Sequence, residues 1–211
     1  MSSQKIDSTF FRAPNKLYSS HIFIPETEAR LVAKSFDAEG NVGESGWAAI
    51  YEGVITPPET GDYRFVGKGD DALLVSVNEK AVLWSVTSGG LNMQAGVIDP
   101  QSDWTPGYSS DGTPPRIWNG DRHYGSWVRL TKGARYRIKI VFAEGYGKTS
   151  EFQLQIQQRH GNSLAAPAKT EPLPVFTLAP LTSREIAVMK KTDLPAVFSG
   201  LIFGADSIDK K

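Results

Sequence analysis

Gly61-Asp62-Tyr63-Arg64-Phe65-Val66-Gly67-Lys68-Gly69-Asp70-Asp71-Ala72-Leu73-Leu74-Val75-Ser76-Val77-Asn78 is the stretch that decides the fold. Tyr63 and Phe65 alternate with Arg64, the two-residue period of a strand with one buried face, and Leu73 to Asn78 reads as a second strand. Between them stands Gly69-Asp70-Asp71. Adjacent carboxylates repel each other and resist burial, so such a pair needs a cation, several backbone N–H donors or open water.

Working outward, Trp47 to Ile55 is a strand candidate, and Pro57-Pro58-Glu59-Thr60-Gly61 is a turn in which Gly61 suits a position of positive φ. Asn78-Glu79-Lys80 turns the chain into a further strand, Ala81 to Ser85. Tyr136, Ile138, Ile140 and Phe142 share one face, as do Phe152, Leu154 and Ile156. Glu144-Gly145-Tyr146-Gly147-Lys148-Thr149 joins these two runs as an antiparallel hairpin. Tyr18 to Pro25 is expected to add a strand. Many short strands with turn punctuation and almost no helical periodicity predict an all-β antiparallel sandwich.

Two stretches break the rhythm. Val86 to Ser126 is too long for a hairpin connection, and its Trp104, Tyr108, Trp118 and Tyr124 argue for a structured loop inserted in the sandwich. From Arg159 the chain becomes proline- and alanine-rich. The expected division is therefore a sandwich domain over 1–160 and, over 161–211, a proline-rich linker with a short C-terminal extension packed on it. Within the extension, Pro174 to Leu178 and Ala196 to Phe203 read as strands. Thr182 and Glu185 read as a capping box opening a helix through about Lys191.

Composition excludes several function classes. Lys+Arg and Asp+Glu are equal at 23 each, so no global field draws the chain to nucleic acid or anionic lipid. With no cysteine, disulfides, thiolate metal sites and cysteine nucleophiles are absent. No apolar run approaches the roughly 20 residues that span a bilayer, and no basic start with an apolar core marks a signal peptide. His21, His123 and His160 lack the i, i+4 spacing of a zinc pair. Gly145-Tyr146-Gly147-Lys148-Thr149 ends like a phosphate-binding loop, but Phe142 stands where its first glycine belongs and the segment joins strand to strand. No G-x-S-x-G elbow is present. A non-enzymatic role is the expectation; a glycosidase role stays open without support, because its pair of distant carboxylates leaves no local spacing signal.

The run from Trp47 through Gly53-Val54-Ile55, Pro58-Glu59-Thr60-Gly61-Asp62-Tyr63-Arg64-Phe65 and Asp70-Asp71 to Asn78 resembles the PA-fourteen family, the β-sandwich domain named after anthrax protective antigen. Leu130-Thr131-Lys132-Gly133-Ala134-Arg135-Tyr136-Arg137-Ile138-Lys139-Ile140 is similar to the family's closing segment, and the resemblance spans roughly Trp47 to Gln157. The chain departs from the pattern at Ala72, where the family usually has Gly, and at Asn78-Glu79-Lys80, where it often has Asp-Gly.

The resemblance implies a carbohydrate-binding or adhesion-type module of a bacterial envelope or secreted protein, with glycan or polysaccharide as partner. In the family's sugar-binding members the two Asp residues, joined by a cis peptide, chelate calcium, which in turn coordinates glycan hydroxyls. That assigns Asp70 and Asp71 as metal ligands. Calcium takes about six to eight oxygens, and the long loop offers Asp121, Asn119 and Asp111. Trp104, Trp118 and Tyr124 are candidates for a stacking platform, or else for the small core of their own loop. Two alternatives stay open: that Asp70 and Asp71 only accept backbone N–H bonds at a tight corner, and that the sandwich binds a protein partner instead of sugar. His123, beside Asp121, is the one histidine with a candidate role.

Overall fold

In a computed structural model, residues 11, 13–14, 16–86, 122–145, 147–159, 172–192 and 196–206 are described. They form an antiparallel β-sandwich. The first sheet contains β1 (Phe23–Glu28), β9 (Thr149–Gln158), β3 (Gly61–Asp70) and β6 (His123–Tyr124), in that order, with β7 (Val128–Leu130) also pairing with β3. The second runs β12 (Gly204–Asp206), β2 (Trp47–Thr56), β8 (Tyr136–Glu144), β4 (Ala72–Val77), β5 (Lys80–Val86). A short parallel pair, β10 (Leu173–Pro174) with β11 (Ala196–Val197), lies beside them.

Alternation builds the core as the sequence predicts. Tyr63 and Phe65 of β3, Phe152, Leu154 and Ile156 of β9 and Phe142 of β8 are all fully buried. Rings then meet in the interior: Phe142 lies tilted against Phe152 at 4.7 Å, joining the two sheets, and Phe65 meets Phe176 edge to face at 5.2 Å. Phe176 in turn meets Phe203 at 5.3 Å, and Phe203 meets Tyr63 at 5.6 Å. Two rings from the last forty residues thus complete the core, while β12 adds a fifth strand to the second sheet by pairing with β2.

The β4–β5 hairpin closes through Asn78 and Glu79, both at positive φ (46° and 68°), the backbone of a two-residue turn whose twist matches its strands. Asn substitutes for glycine there because its short polar side chain tolerates this region, and its Oδ1 accepts from Arg137 N at 2.9 Å.

Several expectations are corrected. Gly61 is not at positive φ; an added Cβ would meet only the far end of the flexible Gln158 side chain, at 2.8 Å, so neither backbone conformation nor backbone packing requires glycine there. Gly133 does adopt positive φ, at 75°. The N-terminal strand starts at Phe23, with His21 making only an isolated bridge to Thr177. Ala196 to Phe203 is not one strand but β11, a bend and the approach to β12. Pro174 to Leu178 contributes the end of β10 and single bridges at Val175 and Thr177, because it fills the edge of β9 only where β1 has left it: Leu154 N donates to Ile22 O, and Leu154 O accepts from Phe176 N.

One helix is unforeseen, α1 (Ala29–Ser35). The second, α2 (Ser183–Met189), opens with the expected capping box: Thr182 accepts from Glu185 N, and Glu185 accepts in return from Thr182 N at 2.6 Å.

Candidate functional site

The corner is where the chain changes sheets. β3 ends at Asp70 in the first sheet and β4 begins at Ala72 in the second, leaving Asp71 alone to make the crossing. Room is scarce: a Cβ on Gly69 would sit 2.5 Å from Leu73 Cβ, so only glycine lets the two strands close up. The Asp70–Asp71 peptide bond is cis.

The two carboxylates meet different fates. Asp71 is only 5% exposed; its amide donates to Ala143 O at 3.0 Å, and its Oδ2 accepts from Gly145 N at 2.6 Å. Asp70 is half-buried, and its carboxylate accepts no hydrogen bond among the described residues. Burial, then the charge of Asp71 and those of Glu151 and Glu26, push the Asp70 carboxyl above its ordinary range, opposed only by Lys68.

A second loop faces the corner, and it is the β8–β9 hairpin. Glu144, 1% exposed, holds that loop in shape: Oε1 accepts from Gly147 N at 2.8 Å, and Oε2 accepts from Ser150 Oγ. Burial raises its carboxyl above the usual range, with Asp71 and Asp70 adding to the rise and the Ser150 and Gly147 hydrogen bonds opposing it. Glu151 lies directly across from Asp70 in the β3–β9 register and pairs with Lys68 Nζ. Sequence reading missed Glu144, Glu151, Lys68 and Glu26. For Glu151 the available signal was the register itself, since pairing Phe65 with Ile156 brings Asp70 opposite Glu151.

These shifts fix the sign of a pH effect. A carboxyl raised in the folded state contributes stability that is fully present below its unfolded pKa and is lost as pH rises through the folded value. In chelator, stability should therefore fall as pH rises from about 4, and Asp70→Asn should flatten part of that fall. Thermal melts across pH check this; identical profiles for the two proteins would contradict it.

The donor set is wholly oxygen and strongly acidic, the chemistry a hard cation such as calcium prefers over a softer metal. Asp70 fits such an ion because its half-buried charge lacks a hydrogen-bond donor among the described residues. Asp71, joined to Asp70 by the cis peptide, brings a second carboxylate to the same corner. No group of three or more His, Cys, Asp or Glu residues is gathered closely enough for a metal among the described residues, so backbone oxygens, ligand hydroxyls or water would complete the shell.

Trp104, Trp118, Asn119, Asp121 and Asp111 lie outside the described residues. Tyr124 is described, and it stands opposite Val66 in the β3–β6 register, four residues or about 13 Å along β3 from Asp70. Its ring carries the Arg64 guanidinium at 4.8 Å. His123 is buried, with Nδ1 2.6 Å from Ser85 Oγ, which also accepts from Gly69 N at 3.3 Å; it braces the strand leading to the corner. The loop resembling a phosphate cradle joins β8 to β9 with no helix behind it.

A search of curated proteins finds no match. Among solved structures the chain is similar to a PA14 sugar-binding domain from an RTX adhesin, with 17% identity and a TM-score of 0.39 over 66% of this chain and 67% of that one. The family model of the PA14 domain matches residues 38–167. That match covers more than half of the chain and takes in β2 to β9, the Asp70-Asp71 corner and the hairpin facing it: the chain belongs to the PA14 domain family.

Proposed function

We propose that this PA14 domain is a non-catalytic carbohydrate-binding or adhesion-type module of an envelope or secreted protein, engaging glycan at the Asp70-Asp71 corner with the help of calcium. The observation that carries the reading is Asp70: a half-buried carboxylate, crowded by other acids, whose charge no hydrogen bond relieves among the described residues. When bound, calcium would supply a Lewis-acidic contact for glycan hydroxyls. Asp71 fixes the geometry, since its bond to Gly145 N ties the corner to the β8–β9 loop. Glu144 stiffens that loop through Gly147 and Ser150. Few preorganised contacts on an open site recover little of the cost of association, so binding is weak per module and gains from repetition.

A glycan array with calcium and with chelator tests this. Binding confined to the calcium arm and lost in Asp70→Asn supports it; no binding in either arm sinks it. The bond from Gly145 to Asp71 also favours a second reading, a protein-interaction sandwich whose corner is structural. A stoichiometric protein partner in a pull-down, from a chain inert on the array, would select that reading.

A further inference from the structure

A second polar cluster occupies the outward face of β3, at the end far from Asp70. Trp127, just before β7, packs against two guanidiniums: Arg64 Cζ lies 4.5 Å from its ring centroid and Arg159 Cζ 4.4 Å. The indole is thereby engaged by two cations and is not a free sugar platform. What the stack offers instead is the rim of the guanidinium. An arginine lying flat on an aromatic ring keeps its N–H donors in plane, the geometry that meets carboxylate or sulfate oxygens.

The two arginines have different tasks. Arg64 is buried, and its Nε donates to Gln157 Oε1 at 2.6 Å; it anchors the stack. Arg159, with 21% of its side chain exposed, reaches solvent. Beside it Arg129, 63% exposed, stands opposite Asp62 in the β3–β7 register. Asp62 serves both: its Oδ1 is 3.4 Å from Arg129 Nη1 and its Oδ2 is 4.0 Å from Arg159 Nη1. Those are long separations beside the roughly 2.7–2.9 Å of a charge-assisted bond. Among the described residues the buried Arg159 Nε and the Tyr124 hydroxyl on the same face have no hydrogen-bond partner, so Asp62 leaves part of this cluster's donor capacity unused.

We propose that Arg159 and Arg129, steadied by Trp127 and Arg64, form an oxyanion site for the carboxylate or sulfate groups of an acidic polysaccharide. The class of polymer rests on the carbohydrate-binding reading; the oxyanion chemistry does not, and it requires no calcium. About six residues of β3, roughly 20 Å, separate this site from Asp70. A chain of several sugar units could therefore engage both.

The test is retention on three immobilised polymers, a polyuronate, a sulfated dextran and plain dextran, with chelator present and at about 0.15 M salt, where diffuse surface attraction is largely screened. The expected result is retention on at least one acidic polymer and none on dextran; which acidic polymer retains the protein identifies carboxylate or sulfate as the group recognised. Arg159→Gln should weaken retention about tenfold, whereas Asp62→Asn, which removes the competing internal carboxylate and leaves the stack in place, should tighten it. Arg137→Gln, at an exposed arginine on β8, should change nothing. Equal retention on dextran, equal losses in Arg159→Gln and Arg137→Gln, or no tightening in Asp62→Asn would overturn the site. A silent calcium array beside intact acidic-polymer binding counts against the corner alone, and the reverse pattern against this site alone.

Discussion

Phe142→Ala is expected to lower the unfolding free energy by about 3–5 kcal/mol, the largest loss from any single core truncation. The ring is fully buried on β8, the central strand of the second sheet, with Ala49 of β2 on one side and Leu73 of β4 on the other. It touches Phe152 at 4.7 Å, Tyr51 at 5.9 Å, Trp47 at 6.1 Å and Phe36 at 6.3 Å. No neighbour can collapse into the space, because these rings are fixed by β9, by β2 and by the end of α1, so a cavity term adds to the lost transfer energy. Domains of this size hold only about 5–15 kcal/mol in total. A urea titration should show a much lower midpoint with an unchanged slope; a midpoint within error of wild type would show that the interlayer stack does not hold the sheets together.

The second large effect separates the two acids of the corner. Asp71→Ala leaves the Gly145 amide without its acceptor in a buried position, at a cost of about 1–3 kcal/mol, and frees the β8–β9 loop from the corner. Asp70→Asn deletes a charge that burial, Asp71, Glu151 and Glu26 all disfavour, so in chelator it should cost nothing or slightly stabilise the fold. Melting curves of both variants check this. Equal destabilisation would mean that Asp70 is as structural as Asp71.

The legibility of the chain follows from how local each interaction is. The alternation in β3, β8 and β9 reports burial on one face, and the core follows it residue by residue. The capping box of α2 lies within four residues of sequence and was legible for the same reason. Helix α1 was not. It is seven residues long, its N-cap Glu28 makes no side-chain cap bond, and its first amide is satisfied by Lys148 O from the distant hairpin. No local pattern encodes a helix held that way.

The site divides along the same line. Asp70 and Asp71 announced themselves as neighbours in sequence, and the PA14 pattern is carried by residues strung along a few adjacent strands. Glu144 and Glu151 reach the corner only through strand pairing across some seventy residues or more. The Arg64, Trp127 and Arg159 stack likewise joins three elements that share no motif. Tyr124 was singled out for its ring, but its register places it with that stack and not with the acids.

The most direct test of the corner is calorimetric titration of calcium into the chelator-treated protein, wild type beside Asp70→Asn. The account predicts saturable binding near one ion per chain in wild type and none in the variant, with a calcium-dependent rise in melting temperature that follows occupancy. No binding to wild type, or equal binding to both proteins, would contradict it.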